Sequence, residues 1–185
     1  MSMKKVGVIG TGFIGLAHID ALRRTKNVEI SVLCDTENVK EKAALYHIPH
    51  AFTDYQDMMN QIPLDAVHIC TPNHTHFPIA MCAINHGIHI ICEKPFTTNV
   101  DEAEKLAAAV KETNIAAGVN LHNRFYPMTN EMKRQIDQGK TGEIIAVTGG
   151  YVQDWLQFET DFNWRLLSKN SGLKRIVGDI GSQWI

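Results

Sequence analysis

Apolar residues recur through the first two thirds of the chain in short runs, each followed by a stretch with helical spacing. "KVGVIG" reads as a buried strand and "GLAHIDALRRT" as the helix behind it. "EISVLCD" and "ENVKEKAALYH" repeat the pair. "AFT" is a short strand, followed by a helical turn from Asp54 to Met59. "DAVHICT" is a strand, and "HFPIAMCAINHG" a helix that Gly87 closes as its cap. "IHIIC" gives a fifth strand. "NVDEAEKLAAAVKETN" is a helix with acids early and lysines late, begun by Thr98 or Asn99 as N-cap, and "IAAGVN" is a sixth strand. Short apolar strands separated by helices pair in parallel through right-handed crossovers. The pattern therefore predicts an α/β fold, a doubly wound parallel sheet of the Rossmann type.

The texture changes after Asn120. "YPMTNEMKRQIDQGK" predicts a helix ending at Gly139. "GEIIAVTGGYVQDWLQF" alternates and carries aromatics, so it predicts an antiparallel strand. "ETDFNWR" follows, then a loop at Ser171 and Gly172, then a helix-like end where Asp179 and Gln183, four apart, would share one face. The boundary falls between residues 122 and 123. One strand makes no stable sheet, so the segment 123–185 reads as the cut-off start of a second domain. Its apolar strand face would favour self-association, and Trp155, Trp164 and Trp184 would have few partners.

Composition narrows the function classes. Apolar residues make up 44% and charged residues 21%, with a net charge of −2, so neither disorder nor a nucleic-acid-binding field is indicated. Cys34, Cys70, Cys82 and Cys92 form no CxxC, and three lie in strand-like runs, which fits reduced cysteines in a cytoplasmic protein. Lys4 and Lys5 before the run Val6 to Ala17 mimic a secretory signal, but the pattern continues into regular α/β alternation and reads as a first strand and its turn. No apolar run is long enough to span a bilayer, and no membrane association is expected.

"GTGFIG" places Gly10, Gly12 and Gly15 in GxGxxG between a strand and a helix. Gly10 allows the tight turn, Gly12 lets a pyrophosphate approach the backbone, and Gly15 lets the helix pack on the strand. Phe13 and Ile14 belong to the same turn. Asp35, twenty residues past Gly15, ends the second strand, where an acid accepts adenine-ribose hydroxyls; it could also cap the next helix. A carboxylate there repels a 2′-phosphate, and no basic residue follows until Lys40, so NAD is expected over NADP.

"CTPNHTHFPIA" leaves the fourth strand, where Thr71, Pro72 and Asn73 could line a ribose. His74 and His76 raise the question of a metal. No cysteine or carboxylate stands at ligand spacing, so polar residues capping a helix near Thr75 are the better reading, and no metal is expected. "CEKPF" ends the fifth strand. Lys94 there could donate to a substrate hydroxyl or carbonyl, or form a surface ion pair with Glu93. Arg124 in "NLHNRFYP" could pair with an anion or fix a domain interface, while Phe125 and Tyr126 suggest packing.

With GTGFIG, Asp35, TPNHTH, EKPFTTNVDEA, NRFYP and GDIGSQW in order, the sequence resembles the Gfo/Idh/MocA family, the glucose–fructose oxidoreductase and inositol dehydrogenase group, over essentially its whole length. The resemblance implies a Rossmann domain at 1–122 and, at 123–185, the start of an α+β domain with an open, mostly antiparallel sheet that covers substrate and often forms an oligomer interface. It implies NAD(P)-dependent hydride transfer to or from a sugar or inositol-like polyol, and a homo-oligomer. The lysine of EKP, here Lys94, contacts substrate, often before a cis proline, here Pro95. Asp179 matches the aspartate of the family's GDxGxH, and Gln183 stands where the histidine base would be. The cofactor-binding candidates are then Gly10, Gly12, Phe13, Ile14, Gly15, Asp35, Thr71, Pro72, Asn73, His76, Glu93, Lys94, Pro95 and Arg124; the catalytic ones are Lys94, Asp179 and Gln183. An amide does not titrate near neutral pH, so an NAD-binding fragment without turnover is the alternative. A Rossmann-type methyltransferase shares the glycine turn but not the EKP lysine.

Overall fold

The computed structural model describes residues 2–154, 156–172 and 175–183, without the side chains of Arg175, Ile176 and Gln183. Two compact units divide the chain, Met1–Asn120 and Leu121–Ile185.

The first unit is built on six strands: β1 (Lys4–Ile9), β2 (Val28–Cys34), β3 (His50–Phe52), β4 (Ala66–Ile69), β5 (His89–Glu93) and β6 (Ala117–Asn120). All pair in parallel in the order β3-β2-β1-β4-β5-β6. Successive side chains of a strand point to opposite faces, and both faces here are apolar. Val6, Val8 and Leu33 pack with α1 (Phe13–Arg23) and α2 (Val39–Leu45) on one side. Val32, Val67, Ile69 and Ile90 pack with α3 (Tyr55–Gln61), α4 (His76–Asn85) and α5 (Val100–Lys111) on the other. The chain reverses direction across the sheet between β1 and β4, so the carboxyl ends of those strands open a crevice.

Local chemistry fixes the helix ends. Asp54 caps α3 by accepting from the N–H groups of Gln56 and Asp57 at 2.8 and 2.9 Å. Asn99 caps α5 by accepting from Glu102 N, and the Glu102 carboxylate accepts in return from Thr98 N. After α4, Gly87 turns left-handed at φ +69°, and the N–H groups of Gly87 and Ile88 satisfy the Ile84 and Ala83 carbonyls. Cys34, Cys70 and Cys92 are buried free thiols, and burial pushes Cys34 up to about 12. Among the described residues no helix is long and apolar enough to cross a membrane.

The second unit holds α6 (Pro127–Asp137), α7 (Ser168–Ser171) and α8 (Arg175–Asp179). The antiparallel strand expected within 142–158 is absent from the described residues there. Ile145, Val147 and Val152 are 95%, 82% and 94% exposed, and a strand without a partner has no ladder to hold it. The segment expected to loop at Ser171 is a short helix that stops at Gly172, φ +79°. Asp179 ends α8 and Gln183 lies in a separate 3₁₀ turn, Gly181–Gln183, so the two do not share one continuous helix. Trp164 has the Arg165 guanidinium 4.6 Å over its ring; Trp155 and Trp184 lie outside the described residues.

Candidate functional site

The turn after β1 separates the roles of its three glycines. Gly10 has φ +88°, and a Cβ there would stand 2.6 Å from the Cys70 carbonyl carbon. A Cβ on Gly15 would run into the Gly10 carbonyl oxygen. The fold itself therefore requires both. Gly12 differs: its φ of −71° suits any residue, and a Cβ there would meet nothing within 4 Å. No neighbouring atom asks for glycine at this place, which is the N-cap of α1 and faces open space. Phe13 beside it is 92% exposed, and Ile14 is half-buried. The first N–H groups of a helix lack intrahelical acceptors, and no acid occupies the first turn of α1. A bare backbone and the positive helix end together suit an anion.

Asp35 follows β2 beside that turn. Its Oδ2 accepts from Thr11 N and Thr11 Oγ1, both at 2.6 Å, while Oδ1 has only a long contact of 3.4 Å with Glu37 N. Burial works to raise this carboxyl, but the Thr11 bonds, helped by Glu37 N and Lys42, hold it below the usual range. It does not cap α2, whose N-cap is Asn38. The expected basic-free stretch is also modified in space: Lys42, on α2, reaches back to within 4.0 Å of Asp35 and donates to Thr11 O and Oγ1.

The turns after β4 and β5 are tied together. The Thr75 hydroxyl donates to the Pro72 carbonyl and shares a 2.7 Å hydrogen bond with the Thr71 hydroxyl, shaping the Asn73–Thr75 3₁₀ turn that leads into α4. Buried His76 lies between the Thr71 and Pro95 carbonyls. The Lys94–Pro95 peptide is cis. Among the described residues no group of three or more His, Cys, Asp and Glu is placed to hold a metal.

Glu93 makes no surface ion pair; it is 6% exposed. Its Oε1 accepts from Asn120 Nδ2 at 2.6 Å and faces His18 Nε2 at 3.1 Å, while His18 Nδ1 meets His68 Nδ1 at 2.7 Å. A proton on His18 Nε2 serves the Glu93 contact, and a single proton between the two Nδ1 atoms serves the other. Burial opposes charge on Glu93, yet the bonds from His18 and Asn120 hold its carboxyl below the usual range. Burial and His18 push His68 down to about 4. Sequence reading missed this chain of side chains. A signal existed: His18 falls on the stripe of Gly15, Ile19 and Leu22 that α1 buries, and a polar group there needs a partner.

The second unit carries the remaining candidates. Arg124 lies in the 3₁₀ turn His122–Phe125 and is exposed, and Phe125 and Tyr126, expected to pack, are 76% and 53% exposed. Asp179 pairs with Arg165 Nε at 3.6 Å, a partner the sequence did not announce. The Gln183 side chain lies outside the described residues.

Residues 4–121 match the model of an oxidoreductase family with an NAD-binding Rossmann fold. Over its whole length the chain is 30% identical to a levoglucosan dehydrogenase of Pseudarthrobacter phenanthrenivorans, covering 50% of it. It is also 30% identical to an NADP⁺-dependent scyllo-inositol 2-dehydrogenase of Bacillus subtilis, over 82% of this chain and 46% of that one. Among solved structures, levoglucosan dehydrogenase in complex with NADH and L-sorbose superposes at a TM-score of 0.92 and 30% identity, over 99% of this chain and 52% of that one. The chain spans about half the length of the curated relatives it matches.

Proposed function

Because the chain belongs to the oxidoreductase family with an NAD-binding Rossmann fold, we propose that it carries the cofactor site of an NAD-dependent dehydrogenase acting on a sugar or inositol-like polyol. The observation that carries this reading is Gly12, whose missing Cβ no neighbouring atom requires, at the N-cap of a helix that opens onto free space. Gly12, Phe13 and Ile14 would hold the pyrophosphate. Asp35 is an ionised acceptor whose Oδ1 is left for a ribose hydroxyl. Thr71, Pro72 and Asn73 would border the nicotinamide half.

The bound cofactor supplies the hydride acceptor or donor. Lys94 would hydrogen-bond the reacting substrate oxygen and polarise it, and Asp179 would anchor a substrate hydroxyl. Gln183 contributes a hydrogen bond and no proton transfer, because an amide does not titrate near neutral pH. That same residue favours a second reading, cofactor binding without turnover. Substrate-dependent reduction of NAD⁺ by the protein separates the two.

The cofactor preference is tested by calorimetric titration with NADH and NADPH. The expected outcome is tighter binding of NADH, and at least a tenfold loss when Asp35→Ala removes the ribose acceptor, the loss of one charge-assisted bond of about 1.5–3 kcal/mol. Equal binding by Asp35→Ala would sink the assignment of that carboxylate.

A further inference from the structure

His76 is 0% exposed, and both ring nitrogens face backbone carbonyl oxygens, Nδ1 at 2.7 Å from Pro95 and Nε2 at 2.7 Å from Thr71. A carbonyl oxygen accepts and never donates. Both contacts are hydrogen bonds only when both nitrogens carry protons, that is, in the imidazolium ion. A neutral ring has one N–H, and its bare nitrogen then sets a lone pair against a lone pair. The two carbonyls belong to different strand ends: Thr71 opens the turn after β4, and Pro95 follows Lys94 in the turn after β5.

We propose that His76 is a positioning residue, a staple whose protonated ring ties the turn after β4 to the turn after β5 and whose neutral ring releases one of them. Opposing forces act on its proton. Burial disfavours the charged ring and is the strongest; the two carbonyls and the Glu93 carboxylate favour it, and His74 opposes it. Beyond Glu93 stand His18, Cys70 and Lys94, while α5, packed on α4, buries the apolar Leu106. The net direction is downward, so the staple closes on the acid side of the ordinary histidine range. This holds whether or not Lys94 meets a substrate.

The test is a ¹⁵N NMR titration of the chain from about pH 8 to about pH 4, across the histidine range. Ring nitrogens and backbone amides are followed together. The expected result is one protonated His76 nitrogen at the high end and two at the low end. The amides of Asn73 and Phe96, one in each turn, should shift with the same midpoint. In His76→Gln, which keeps a donor but does not titrate, that coupled shift should be lost. A ring singly protonated throughout, or doubly protonated throughout, overturns the switch. So do amides of either turn that ignore the His76 midpoint, or a coupled shift that survives in His76→Gln. The wild-type titration decides the matter even if the variant does not fold.

Discussion

At the scale of single residues, the candidate site is a set of polar groups whose protons are already spoken for. Thr11 occupies one oxygen of Asp35, and Asn120 and His18 occupy one oxygen of Glu93. Motif spacing in the sequence located Asp35 and Glu93 but could not supply these partners, which come from 24 to 75 positions away. The buried histidine pair has a measurable consequence. His68 is held at about 4 against an ordinary 6.5, so the unfolded chain takes up this proton first as pH falls. Its contribution to stability is present above pH 6.5 and is lost as pH falls toward 4. Chemical denaturation across that window should show a flatter loss of stability in His68→Gln, by up to about 1.4 kcal/mol per pH unit. Parallel slopes for the two proteins would refute a buried, neutral His68.

At the scale of elements, what was legible followed from periodicity. All six parallel strands and the helices between them announce themselves as short apolar runs and amphipathic stretches, most clearly at β1 and β2, which bury both faces. Alternation in 142–158 announced a strand that is absent from the described residues there, since alternation states which face would be buried and not what buries it. Helix ends were partly legible. Gly87 closes α4 as its glycine suggests, but α2 closes with His47 in the same left-handed role at φ +50°. The N–H groups of His47 and Ile48 there satisfy the Ala44 and Ala43 carbonyls. An exposed side chain in that conformation is strained and buries nothing. His47→Gly should stabilise the first unit by about 0.5–1 kcal/mol, read as a rise in melting temperature of about 2–4 °C. A fall would mean that the His47 side chain holds a contact of its own.

At the scale of the whole molecule, the candidate cofactor residues of the glycine turn, β2, β4 and β5 all lie within one compact unit, Met1–Asn120, with an apolar core on both faces of its sheet. Arg124, Asp179 and Gln183 lie in the second unit. All the proposed cofactor contacts except Arg124 therefore lie in the first unit, together with Lys94, and cofactor binding is expected to survive loss of Asp179 and Gln183. The most direct test is calorimetric titration of the 185-residue chain with NADH, wild type against Gly12→Val. The account predicts one site in the wild type, weakened at least about tenfold by the valine, about 1.4 kcal/mol. The melting temperature should move by less than about 2 °C, because the new side chain meets open space. No binding by the folded wild type, or equal binding by Gly12→Val, would contradict it.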